Sequence, residues 1–169
     1  NTAANVKKHE SRKIDVGYRA TNVVTNLNKL VILKAQIGRR VVKKFQPYAL
    51  NLDISTRHED RIYGDRWFSF VEDCRFMIGV NSGSSLIIPN LSLRESVQAY
   101  ISANPDWNYS DVNSLFFSEQ NESTSYTAIS PRNIEAAVLG TCQINTTLGD
   151  YSGLLTPWEH FIPLSEDCS

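Results

Sequence analysis

Apolar residues alternate at Ile14, Val16 and Tyr18 within residues 13–20, the period-two pattern of a strand with one face against a core. The period then lengthens. Val23, Leu27, Leu30, Val31, Ile37, Val41, Val42 and Phe45 recur near helical spacing, with Lys29, Lys34, Arg39, Arg40, Lys43 and Lys44 on the solvated side. This predicts a helix over 23–45, capped by Thr21 or Asn22 and stopped by Pro47. Residues 49–54 alternate again and predict a second strand, and 55–65 form a polar loop. A short helix follows over 65–73, with Trp67, Phe68, Phe70 and Val71 as its buried side. Residues 74–80 are a continuous apolar run of strand length, as expected where both faces of a sheet are covered.

Residues 81–85, Asn-Ser-Gly-Ser-Ser, break that run. Ser92 with Glu95 three positions later makes a capping box for a helix to about Ala103, ended by Pro105. A further short helix starts at Ser110 or Asp111 and reaches about Phe117, and 118–127 is a polar loop. Ser130 followed by Pro131 predicts an N-cap and first turn for a helix over 132–139, with Gly140 at its end. Residues 141–146 form another strand, and 149–164, with two prolines, are mostly irregular. Strands alternating with helices predict an α/β fold, a mostly parallel sheet with helices on both faces. Residues 1–12 are polar and read as a flexible lead-in.

Composition narrows the function classes. The chain has 169 residues, 41% hydrophobic and 21% charged, enough for one sizeable core and typical of a single globular domain. With 17 Lys+Arg against 18 Asp+Glu, the net charge of −1 supplies no broad field for nucleic acid or an anionic membrane. The basic side of the 23–45 helix reads as a solvated face rather than a nucleic-acid or membrane surface. No stretch has the length of a membrane span. Cys74, Cys142 and Cys168 lack metal-ligand spacing and read as small apolar residues in a reducing, cytoplasmic compartment. Four Asn-x-Ser/Thr sequons fit chance in a chain rich in Asn and Ser. The ends of the sequence suggest a piece of something larger.

In parallel α/β folds ligands collect at the carboxyl ends of the strands, which directs attention to 18–22, 81–85 and 130–135. Arg19 and Thr21 precede a helix, where unpaired N–H groups and a guanidinium suit phosphate oxygens; the plainer reading is a surface Arg beside a cap. Ser82, Gly83 and Ser84 allow close backbone approach and offer hydroxyls, or form an ordinary turn. A Walker loop, a GxGxxG loop and a GxSxG nucleophile elbow are all absent. At 130–141 the helix start can bind an anion with Arg132 beside it, and Glu135 can accept from sugar hydroxyls. The plainer reading is a capped amphipathic helix whose Glu135 complements the dipole. Trp158 and His160 fit either an acceptor contact or aromatic packing of the tail onto the core.

Three segments in succession carry a resemblance. Arg132-Asn-Ile-Glu-Ala-Ala-Val-Leu-Gly140 is roughly R-x-x-E-A-x-A-x-G. Cys74-Arg-Phe-Met-Ile-Gly-Val-Asn-Ser-Gly-Ser-Ser85 forms a strand and turn, and Pro157-Trp-Glu-His-Phe-Ile-Pro-Leu164 belongs to the tail. With Ile14-Asp-Val-Gly-Tyr18 at the start, the chain resembles the C-terminal, donor-binding half of bacterial GT-B glycosyltransferases of the group 1 and spore-maturation (CgeB-like) type, over residues 14–167.

The resemblance implies a single Rossmann-like domain that binds a nucleotide-sugar, usually without a metal or other cofactor, in enzymes of polysaccharide biosynthesis. It places Glu135 at ribose or sugar hydroxyls and Arg132 and Ser130 near the diphosphate, with Asn133 also among the donor-binding residues. Ser82, Gly83 and Ser84 line the sugar side, and Arg19 and Thr21 border the phosphates. The carbohydrate acceptor is expected mainly on a missing N-terminal domain, so this half alone transfers little or nothing; no catalytic residue is assigned. Thr127 stands where many retaining members carry a second Glu, and Asn81 where relatives often carry Glu. Those two departures favour the alternative of a non-catalytic Rossmann-like scaffold with a decayed nucleotide site.

Overall fold

The computed structural model of the chain describes residues 6–20, 29–83, 91–104, 107, 109–116, 127–147, 151–165 and 168. Strand β1 (Ile14–Arg19) puts Val16 and Tyr18 on one face, as their alternation predicts, and pairs in parallel with β2 (Leu52–Ser55) and β3 (Cys74–Gly79). Strand β6 (Cys142–Thr146) pairs with β3, and β7 (Ile162–Leu164) with β6, again in parallel. The sheet therefore runs β2-β1-β3-β6-β7, a five-stranded, all-parallel, Rossmann-like α/β sheet. A two-stranded ribbon, β4 (Ser82–Gly83) against β5 (Thr127–Ala128), lies outside it.

Helices cover both faces. Helix α1 (Lys29–Phe45) buries Leu33, Ile37 and Val41, one residue per turn, against Val16, Tyr18, Ile78 and Val80. Helices α3 (Leu91–Ala103) and α4 (Tyr109–Phe116) form their own small core around Val97, Ile101, Trp107 and Val112, with α4 against α1. On the other face, α2 (Asp65–Asp73) and α5 (Pro131–Val138) close over Phe70, Val71, Cys74, Met77 and Ala136. There Gly17 lets α2 approach the sheet: a Cβ on it would lie 2.2 Å from Cys74 Sγ and 3.0 Å from the Phe70 ring. Gly17→Ala is expected to cost about 1–3 kcal/mol of overpacking. An unchanged denaturation midpoint would show that the contact relaxes freely.

Several sequence expectations need correction. Residues 151–161 are irregular apart from a short 3-10 turn, as expected, but the segment ends in β7, which completes the sheet; Pro163 is tolerated there since β7 is an edge strand of three residues. Helix α3 begins at Leu91, so Ser92 lies inside the first turn instead of capping it. The part of the first helix expected over 23–28 lies outside the described residues. Phe68 is exposed rather than buried, and Cys142 is exposed. Burial pushes the Cys74 thiol up to about 12, which keeps it neutral and unreactive. Trp158 does not pack onto the core; it is 79% exposed.

The described part of the expected lead-in is anchored. Arg12 is 2% exposed, and its guanidinium donates to Lys7 O, Cys74 O, Leu139 O and Thr141 Oγ1 at 2.6–3.2 Å. Thr141 Oγ1 in turn donates to Val71 O at 2.8 Å. Arg12 thus ties the last carbonyls of α2 and α5 to the amino edge of the sheet, at the helix ends where a cation is favoured. Among the described residues no helix is long and apolar enough to cross a membrane.

Candidate functional site

The chain runs from β1 outward to β2 and then crosses back to β3, so the strand order reverses between β1 and β3. A reversal of this kind leaves a crevice at the carboxyl ends of the two strands. Helix α5 starts there because Ser130 is extended (φ −73°, ψ 140°) and Pro131 fixes the first helical turn. Ser130 N–H donates to Asn133 Oδ1 at 3.2 Å, and Asn133 N–H donates to Ser130 O at 2.9 Å. Asn133 is buried, and its Nδ2 donates to Gln143 Oε1 at 2.8 Å while Gln143 Nε2 donates back to Asn133 O at 3.1 Å. Asn133 therefore braces the helix start against β6, with both ends of its amide bonded within the protein.

Arg132, one residue into α5, reaches across the reversal point and donates through Nη1 to the carbonyl of Arg19 at the end of β1. Its guanidinium stacks over the Trp67 ring, 5.1 Å from the centroid. Trp67 Nε1 donates to Glu135 Oε2 at 2.7 Å, so Trp67 holds the cation through its face and the carboxylate through its edge. Burial lowers the Arg132 pKa below the usual arginine range, opposed by the nearby charges of Tyr18 and Glu135. Burial also lowers the Lys34 ammonium from 10.5, and the charge of Arg132 lowers it further. Two cations from helices on opposite faces of the sheet therefore lie close enough to repel each other. Buried Tyr18, whose hydroxyl donates to Lys34 O at 2.8 Å, feels the Arg132 charge too, although burial dominates and raises its pKa.

A cavity of about 320 Å³ opens beside this cluster, lined by Arg19, Asp60, Ile62, Tyr63, Trp67 and Arg132 among others. That volume is at the small end of the range for small-molecule sites. Arg19 contributes its wall more than a free charge. Its guanidinium donates to Asp60 O, Tyr18 O and Asp53 O at 2.9–3.1 Å and to Asp53 Oδ1 at 2.7 Å, and it stacks over Phe70 at 4.6 Å. Asp60 is held by Ser55 Oγ at 2.6 Å and by Arg57, and those bonds lower its carboxyl below 3.8, Ser55 most. The polar loop at 55–65 is thereby an ordered rim.

Of the residues singled out by sequence, Arg19 and Arg132 line one cavity, and Glu135 joins them through Trp67. Ser130 and Asn133 form the adjoining helix start, while Ser82 and Gly83 form β4, beyond the end of β3. Thr21 and Ser84 lie outside the described residues. Sequence reading missed Trp67 as the partner of Glu135, 68 positions away, and it set Lys34 on a solvated face although the side chain is half-buried. The alternation of Gln143 and Asn145 along β6 is the one local signal that could have exposed the polar lining under α5. Among the described residues no cluster of His, Cys, Asp or Glu suits a metal ion. Comparison with protein-family models, with curated proteins and with solved structures returns no match for this chain.

Proposed function

We propose that the crevice binds the diphosphate of a nucleotide-activated sugar, and that the chain is the donor-binding half of a glycosyltransferase. The observation that carries this reading is Arg132 at the start of α5, held across the strand reversal by the Arg19 carbonyl and stacked on Trp67, with Glu135 held alongside by Trp67 and the cavity opening beside them. Two desolvated cations beside the positive dipole end of α5 favour a dianionic ligand, since its charge relieves the repulsion between them. In group transfer, the same positive charge opposes the negative charge that grows on the diphosphate as the bond to the sugar breaks. Glu135 is positioned to accept from ribose hydroxyls. The carbohydrate acceptor belongs to a partner domain. The engagement of Arg19 within the protein favours the second reading, a scaffold with no nucleotide site, and one experiment separates the two.

Titration of the isotopically labelled chain with uridine and guanosine diphosphates is expected to shift the amides of Ser130 and of residues 132–135 together with Arg19 and Ala20. No response to either nucleotide at millimolar concentration supports the scaffold. The binding is also expected to depend on pH in a defined direction. Lys34 loses its proton at lower pH than an ordinary lysine, because burial and Arg132 both disfavour its charge. Diphosphate affinity therefore declines as pH rises toward 10.5, and Lys34→Met removes the decline in that range along with part of the affinity at pH 7. Calorimetry across this interval checks the sign.

A further inference from the structure

Polar groups replace apolar ones on the α5 side of the sheet as β3 and β6 reach their carboxyl ends. Asn145 has no exposed surface; its Nδ2 donates to Gln143 Oε1 at 3.3 Å, but its Oδ1 has no hydrogen-bond partner among the described residues. Asn81 is equally buried, and among the described residues neither its Oδ1 nor its Nδ2 has a partner. Ile144 and Ile78 pack in the cluster under α1, so strand alternation sends Asn145 and Gly79 to the α5 side, and Asn81 follows two residues past the end of β3. Gly79 marks the spot: a Cβ there would lie 2.0 Å from Asn145 Oδ1 and 3.1 Å from Asn133 Nδ2, so only a glycine leaves room for the Asn145 amide beside the start of α5.

Buried polar groups normally find partners, because each gives up its bonds to water on folding. Three such atoms on two carboxamides at the ligand-binding edge of a parallel sheet leave hydrogen-bonding capacity that the described residues do not use. Their chemistry is selective. A carboxamide offers one acceptor and one NH2 donor with no charge, which matches adjacent sugar hydroxyls and gives nothing to neutralise a carboxylate or phosphate. Asn81 leads straight into the β4–β5 ribbon, two residues per strand, a marginal element that can shift to admit a ring. Thr146 Oγ1 also lacks a partner, but alternation places it on the α1 side.

We infer that Asn81 and Asn145 form the sugar subsite of the crevice and select a neutral glycosyl group over an acidic one. This rests on the nucleotide-sugar reading above and adds the class of sugar to it. The test is calorimetric titration of the whole chain with UDP, UDP-glucose and UDP-glucuronate, and with the guanosine diphosphate counterparts GDP and GDP-mannose. The neutral sugar is expected to raise affinity at least fivefold over the bare diphosphate, and the glucuronate is not. Asn81→Ala and Asn145→Ser each reduce that gain below twofold while bare diphosphate affinity stays within twofold of the parent. A gain that survives both substitutions overturns the subsite and leaves the diphosphate reading standing. So does a fall in thermal stability with sugar preference intact, the result for amides that only hold buried water. Failure of every nucleotide to bind overturns both. If a variant does not fold, the side-chain NH2 resonances of Asn81 and Asn145 in the parent chain decide: they move with the neutral nucleotide-sugar and not with the bare diphosphate, and no such movement refutes the subsite.

Discussion

Replacing Arg12 by Met is expected to lower the unfolding free energy by about 3–4 kcal/mol, the largest stability effect of any single side chain outside the apolar clusters. The physical reason is the number of acceptors that depend on it. Lys7 O, Cys74 O and Leu139 O all take hydrogen bonds from its guanidinium, as does Thr141 Oγ1, in a place with almost no solvent. Bonds from a charged donor contribute about 1.5–3 kcal/mol each, and an acceptor left buried without one loses more than an average bond is worth. Removing the charge from water-poor surroundings recovers part of that loss, which is why the sum is not simply multiplied. A loss of this size is a large share of the roughly 5–15 kcal/mol that holds a domain together. It corresponds to a melting temperature lower by roughly 6–16 °C at this chain length. Arg12→Lys keeps the cation but not the planar fork, and is expected to fall between the parent and Met. A denaturation curve for Arg12→Met within 1 kcal/mol of the parent would mean that nearby groups or water replace these bonds.

Arg12 also shows which parts of the fold can be read along a chain and which cannot. The bounds of α2 and the start of α5 follow from local chemistry: an apolar side over 67–71 in one case, Ser130 and Pro131 in the other. Strands β1 and β3 declare themselves by alternation and by a run that is apolar except for Arg75. The polar stretch around Arg12 gives no comparable signal, because its partners at 74, 139 and 141 become neighbours only once the sheet has closed. Strand β7 is hidden by Pro163, which opposes strand structure except at an edge, and the edge exists only after β6 is in place. At the site, the carboxyl-end rule led to Arg19, Arg132 and Glu135, since it depends on topology that the alternation of elements already implies. Lys34 and Trp67 escaped. A helical face read from charge alone cannot reveal that Arg132 will arrive from the other side of the sheet, nor that an indole on α2 will span Arg132 and Glu135.

Arg132→Gln is expected to weaken nucleoside diphosphate binding about 10–100-fold, or about 1.4–2.8 kcal/mol, while the chain stays folded. The guanidinium is held in advance, by Trp67 at its face and the Arg19 carbonyl at one edge, so a phosphate meets a charge that has little freedom left to lose. Gln supplies one NH2 group and no charge. Arg132→Lys retains the charge without the stacked plane and is expected to recover only part of the affinity. Glu135 separates charge from geometry in the opposite way. Glu135→Gln can still accept from Trp67 and from a ribose hydroxyl, so it should bind nucleotide about as well as the parent. Glu135→Ala leaves the indole N–H without its partner, Glu135 Oε2, and should lose affinity. Because Lys34 remains in the Arg132→Gln chain, residual binding should fade as ionic strength rises, the mark of a lone point charge facing an anion. If Arg132→Gln binds diphosphate as tightly as the parent, the cation at the strand reversal only secures the Arg19 carbonyl, and the crevice is not a diphosphate site.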